Sequence, residues 1–133
     1  MPVTTIEVPS RISTPTLVNV ITPAAGDGPF PVLYLLHGVG DDHTTWCDNT
    51  DIVSYLADLG LIVVTPDCEW SWFLNDPQPG GEQWESYVVE DLVAFMDANY
   101  NTIASRGGRA LAGLSMGGYG ALVAVTGAMT VAS

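Results

Sequence analysis

Three short apolar runs set the pattern of the chain. Pro31 to Leu36 (PVLYLL), Leu61 to Thr65 (LIVVT) and Arg109 to Leu114 (RALAGL) carry almost no polar interruption. Runs of four to eight apolar residues suit strands covered on both faces, as in a parallel sheet. Between them the period changes. Ile52, Leu56 and Leu59 recur at helical spacing, so a helix is expected from about Thr50 to Leu59, capped by Asn49 or Thr50 and ended by Gly60. Val88, Leu92, Phe95 and Met96 share one face of a second helix expected from about Glu82 to Asn99. Two weaker strands precede the apolar runs, at Thr4 to Val8 (an edge strand) and at Pro15 to Thr22. A Gly/Ala-rich helix is expected from Met116 onward. Strand–helix alternation of this kind predicts an α/β fold: about five strands, parallel at the centre, with flanking helices.

No repeat, linker or low-complexity tract divides residues 1–133, so a single domain is expected, of a size able to bury a core. No apolar run approaches the ~20 residues needed to span a bilayer. Met1 to Glu7 has neither the basic region nor the apolar core of a signal peptide. The expectation is a soluble chain, with the cytoplasm favoured.

Charge narrows the partners. Fifteen acidic residues face three arginines, for a formal net charge of −12. Phosphate backbones and anionic lipid surfaces both require basic patches, so neither nucleic acid nor membrane is an expected partner. A solvated acidic surface is the plain reading, and adaptation to high salt the sharper one. The carboxylates are scattered, and no metal site or cofactor is expected. Cys47 and Cys68 match no zinc or redox spacing; free thiols are expected, with a disulfide between two loops at one end of the sheet as the alternative.

The chemistry lies at the end of the third apolar run. Gly113-Leu114-Ser115-Met116-Gly117 is G-x-S-x-G between an expected strand and an expected helix, the context of a nucleophile elbow. The turn is sharp enough that the residues flanking the serine crowd one another, and glycine on both sides relieves the clash. The bare pattern is a weak signal; its position makes it a strong one. His37-Gly38-Val39-Gly40 follows the first apolar run. Acyl transfer generates an oxyanion that two preorganised backbone N–H groups can stabilise. Met116 offers one, and the glycine-rich turn can offer the other from Val39. His37 is expected to buttress this turn, being badly placed for a base.

These segments carry a family resemblance. LLHGVGDDHTTW (35–46), VVTPD (63–67) with the aromatic loop after it, and ESYVVEDLVAFMDANYNTIASRGGRALAGLSMGGYGAL (85–122) resemble the "putative esterase" family of α/β-hydrolases. That family is similar to S-formylglutathione hydrolase, tributyrin, feruloyl and acetylxylan esterases, and the secreted mycolyltransferases. The resemblance runs over residues 15 to 122 and implies a serine carboxylic-ester hydrolase working through an acyl-enzyme. It implies Ser115 as nucleophile, the N–H groups of Val39 and Met116 as oxyanion hole, and Trp46, Trp72 and Phe73 near the pocket mouth.

A serine nucleophile needs a base and an orienting acid, which in this fold follow the serine in the chain. Met116 to Ser133 contains no Asp, Glu or His, and 126–133 departs from the family's usual continuation. The expectation is the N-terminal part of an α/β-hydrolase sheet, with later strands absent and the edge beside Ser115 unpaired. Such an edge invites self-association or pairing with a missing C-terminal segment. The alternative function is a non-catalytic α/β module that binds an acyl ligand or a partner chain.

Overall fold

The computed structural model describes residues 3–56, 59–69 and 71–122. Five strands form one sheet: β1 (Val3–Glu7), β2 (Leu17–Ile21), β3 (Val32–Leu36), β4 (Ile62–Pro66) and β5 (Arg109–Gly113). Their spatial order is β1-β2-β4-β3-β5. β1 and β2 pair antiparallel, as do β2 and β4, while β3 runs parallel to both β4 and β5. The parallel centre anticipated from PVLYLL and LIVVT is therefore present, with Tyr34 opposite Val64 on one side and Leu111 on the other.

The two-residue period of the strands divides the core. Val32, Tyr34 and Leu36 point to one face, with Val18, Val20, Ile62 and Val64 beside them. Covering that face are helical turns α3 (Trp84–Ser86), a π-helical stretch (Tyr87–Leu92) and α4 (Val93–Asn99), through Trp84, Tyr87, Val88, Leu92 and Met96. Leu35, Ile21 and Val63 point to the other face, with Leu33 packed against them; α1 (Thr45–Asn49) and α2 (Ile52–Leu56) close over it through Trp46, Cys47, Ile52, Val53 and Leu56. The chain leaves β3 in one direction to reach β4, then crosses back over β3 to reach β5. Right-handed crossovers in opposite directions put their helices on opposite faces. The carboxyl ends of β3 and β5 thus flank the point where strand order reverses, where ligands bind in open α/β sheets.

Three expectations need correction. The helix expected from Thr50 begins at Ile52 and a separate helix, α1, precedes it, because Thr50 is extended (φ −136°, ψ 168°). Its hydroxyl bonds Trp46 O and accepts the Ile52 N–H at 3.2 Å, ending one helix and capping the next. Residues 57–58 of that expected helix lie outside the described residues. The second helix, expected from about Glu82, starts at Trp84, because the backbone just before it is engaged otherwise: Asn75 and Gln83 form an antiparallel bridge and Glu82 O accepts the Asp76 N–H at 3.0 Å. β5 is not buried like β3 and β4: Ala110 and Gly113 are exposed, because among the described residues only β3 pairs with it. Helical turns follow over 116–122, and the tail from 123 lies outside the described residues. No helix among the described residues is long and apolar enough to cross a membrane.

Candidate active site

Ser115 sits where β5 ends and the next helix begins, with its backbone in the left-handed region at φ +57° and its side chain exposed. A non-glycine residue there stores roughly 1–2 kcal/mol of strain. The Gly117 N–H donates to Leu114 O at 2.9 Å and the Tyr119 N–H to Ser115 O at 3.1 Å, so the chain turns into helix within two residues. Space dictates the flanking glycines. A Cβ on Gly113 would lie 2.2 Å from the carbonyl carbon and oxygen of Gly117; one on Gly117 would lie 2.2 Å from Leu36 O. The elbow is pressed directly against the end of β3.

That contact brings the His37–Gly40 turn to the serine. A Cβ on Gly38 would meet Ser115 Cβ at 3.7 Å and Leu114 O at 3.4 Å. The Asp41 N–H donates to Gly38 O at 3.1 Å and Gly40 has φ +82°, the signature of a type II turn. Neither the Val39 nor the Met116 N–H donates a hydrogen bond among the described residues. The following segment is anchored by Asp42, whose Oδ1 accepts the Thr44 hydroxyl at 2.6 Å and the Thr44 N–H at 2.8 Å. Those bonds, the hydroxyl's first, hold the Asp42 carboxyl below the usual carboxylate range.

The His37 ring is committed elsewhere, whereas His43 is anchored only through its backbone. His37 is 1% exposed; its Nε2 accepts the Cys68 N–H at 2.9 Å and its Nδ1 lies 2.8 Å from Gly38 O. His43 is drawn towards β4, because its carbonyl accepts the Thr65 hydroxyl at 2.8 Å. β4 lies across β3 from β5. The nearest carboxylate to His43 Nδ1 is Asp67, at 4.0 Å, and that buried nitrogen has no partner among the described residues.

The three aromatic residues expected at a pocket mouth separate. Phe73, 1% exposed, packs against the His37 ring with centroids 5.9 Å apart and fills the space a side chain on Gly120 would need. Trp46 is half-buried among the residues under α1 and α2, and its indole donates to Leu36 O at 3.3 Å. Both are packing anchors. Trp72 alone turns outward, 43% exposed, its ring edge-to-face with Tyr119 at 5.8 Å. Tyr119 was missed from sequence, although it lies in the first turn of the helix after Ser115, whose carbonyl accepts its N–H at 3.1 Å. Cys47 and Cys68 are free thiols, the alternative of a disulfide being absent. No cluster of metal-ligating side chains occurs among the described residues.

The profile of the family described as "Putative esterase" matches residues 10–130. An esterase of Mycobacterium tuberculosis is 37% identical over 112 residues, spanning 79% of this chain and 25% of that protein. Among solved structures, a fluorophosphonate-binding serine hydrolase of Staphylococcus aureus superposes with a TM-score of 0.81 at 26% identity, over 90% of this chain and 49% of that one. S-formylglutathione hydrolase from Agrobacterium tumefaciens gives 0.77 at 25% identity, over 93% and 52%. The chain thus spans about a quarter of the length of this curated relative and about half that of the structural ones. With its mixed five-stranded sheet, parallel centre and flanking helices, the chain belongs to the "Putative esterase" family of serine esterases, on the α/β-hydrolase fold.

Proposed function

We propose that this protein is a serine carboxylic-ester hydrolase that works through an acyl-enzyme on Ser115. The observation that carries the reading is the exposed Ser115 side chain on a left-handed residue, wedged by two obligatory glycines against the end of β3. The hydroxyl oxygen attacks the ester carbonyl, and the tetrahedral oxyanion is held by the Val39 and Met116 N–H groups. Collapse expels the alcohol, and water releases the acid from the serine. Val39, Leu114, Trp72 and Tyr119 are exposed around the serine and suit an ester with an apolar group.

The proton acceptor in this reading comes from outside the chain. His37 has both ring nitrogens engaged, the His43 backbone is bonded to β4 on the far side of β3, and no Asp, Glu or His follows Ser115 in the sequence. We place the base and its carboxylate on a segment that pairs with the edge of β5 that no described strand covers, either a continuation of the polypeptide or a second chain. The engagement of both His37 ring nitrogens also favours a second reading, a non-catalytic module that binds an acyl ligand or partner.

A fluorophosphonate label read by peptide mass spectrometry on the protein as its own cell makes it separates the two. An adduct on Ser115, lost in Ser115→Ala, is expected. A folded protein that leaves Ser115 unlabelled and does not turn over p-nitrophenyl acetate supports the module and refutes the hydrolase.

A further inference from the structure

We infer that His37 is a positioning residue for the oxyanion hole, aiming the Val39 N–H by gripping the other end of the same peptide group. The inference rests on the hydrolase reading of Ser115 and deepens it. Gly38 C=O and Val39 N–H belong to one planar trans peptide, so they point in opposite directions. Gly38 O is held twice: by the Asp41 N–H at 3.1 Å and by His37 Nδ1 at 2.8 Å. With the carbonyl fixed towards the buried imidazole, the Val39 N–H has one direction left, away from it. A type II turn leaves the N–H of its second residue unused, and Val39 is that residue.

The grip requires the proton to be on Nδ1, because an unprotonated Nδ1 would repel the carbonyl. The structure supplies the reason for that tautomer. The Cys68 backbone N–H donates to Nε2 at 2.9 Å, which demands a lone pair there and leaves the ring proton to Nδ1. The Phe73 ring packs against the imidazole, tilted at 53° with centroids 5.9 Å apart. Asp41 steadies the preceding peptide as well, its Oδ2 accepting the Gly38 N–H at 3.3 Å. The peptide is thus held by bonds formed before any substrate arrives, the preorganisation that makes such donors effective.

Two near-isosteric variants of the full-length natural protein divide the two ends of the imidazole. His37→Asn puts an amide N–H at the position of Nδ1 and retains the grip on Gly38 O. His37→Gln puts an amide oxygen at the position of Nε2; it retains the Cys68 contact and loses the grip. With p-nitrophenyl acetate, kcat of His37→Gln is expected to fall about 100-fold, the scale of losing one oxyanion donor, with KM changed less than about threefold. His37→Asn should lose less than about tenfold. Equal losses in the two variants, or a Gln variant faster than the Asn variant, overturn the inference, since mere packing would not distinguish the two ends. The 15N spectrum of the His37 imidazole tests it without turnover or mutation: a proton on Nδ1 is expected, and one on Nε2 overturns it. Wild-type protein with the Nδ1 proton in place but no labelling or turnover refutes the reading of Ser115 and leaves the clamp itself standing.

Discussion

Replacing Gly117 by alanine probes the contact on which the elbow depends. The added methyl would lie 2.2 Å from Leu36 O, 2.7 Å from Leu36 C and 2.8 Å from His37 O. All three are backbone atoms, so no rotamer change relieves them. Carbon atoms rest at about 3.5–4 Å from their neighbours, so the elbow must retreat from the end of β3 by roughly 1 Å. Overpacking of this kind costs about 1–3 kcal/mol. Losing a glycine gives back about 0.5–1 kcal/mol of chain entropy. Because the obstacle is rigid, the net loss should be about 2 kcal/mol, a large share of the ~5–15 kcal/mol that stabilises a domain. Gly107→Ala is the control: no heavy atom lies within 4 Å of its Cβ position and its φ is not positive, so it should stay within about 0.5 kcal/mol of wild type. Urea unfolding followed by tryptophan fluorescence measures both. Reactivity should fall as well, since a shift of about 1 Å in a reacting group can cost ~100-fold. Wild-type stability together with wild-type Ser115 labelling in Gly117→Ala would falsify the packing argument.

Ser115→Gly should remove the left-handed strain while adding chain entropy to the unfolded state, a net gain of up to about 1 kcal/mol by urea midpoint. Labelling should vanish in the same variant, so stability and function would be seen to oppose each other at one residue. Phe73→Ala should cost about 3–5 kcal/mol, because the ring is fully buried against His37 and over Gly120; a loss under 1 kcal/mol would place it outside the core. Arg11 donates to Asp91 from its backbone N–H (3.0 Å), Nε (3.0 Å) and a terminal nitrogen (2.9 Å). Burial alone would raise the Asp91 carboxyl, but these bonds and the guanidinium charge outweigh it and hold the group low. A depressed folded-state value contributes stability above the unfolded one and loses it as pH falls through the folded one. Arg11→Ala should therefore cost up to about 1 kcal/mol at neutral pH, and the gap should close in acid below the usual carboxylate range; a gap constant down to pH 2 contradicts this.

Much of the fold was legible because burial leaves a one-dimensional trace. PVLYLL and LIVVT lie covered on both faces, and their unbroken apolar runs reflect it. GLSMG was legible because only glycine fits on either side of the serine, and HGVG because Gly40 needs a positive φ. What the sequence hid depends on contacts between distant positions or on single dihedrals. The Cys68–His37 bond joins residues 31 apart, and no local pattern encodes it. Trp72 and Phe73 are adjacent aromatics, both left-handed at φ +54° and +59°, yet Trp72 is exposed and Phe73 buried; composition cannot say which one meets solvent. RALAG reads as buried by hydrophobicity alone, but exposure at β5 is set by how many neighbours pair with it. Thr50 was legible as the cap of α2, but the separate short helix α1 ahead of it was not.

A crystal structure of the fluorophosphonate adduct tests the central claim most directly. The phosphorus should be bonded to Ser115 Oγ, with its free oxygen about 2.7–3.1 Å from both the Val39 and Met116 nitrogens. An adduct on another residue, or a phosphoryl oxygen turned away from both amides, contradicts the account.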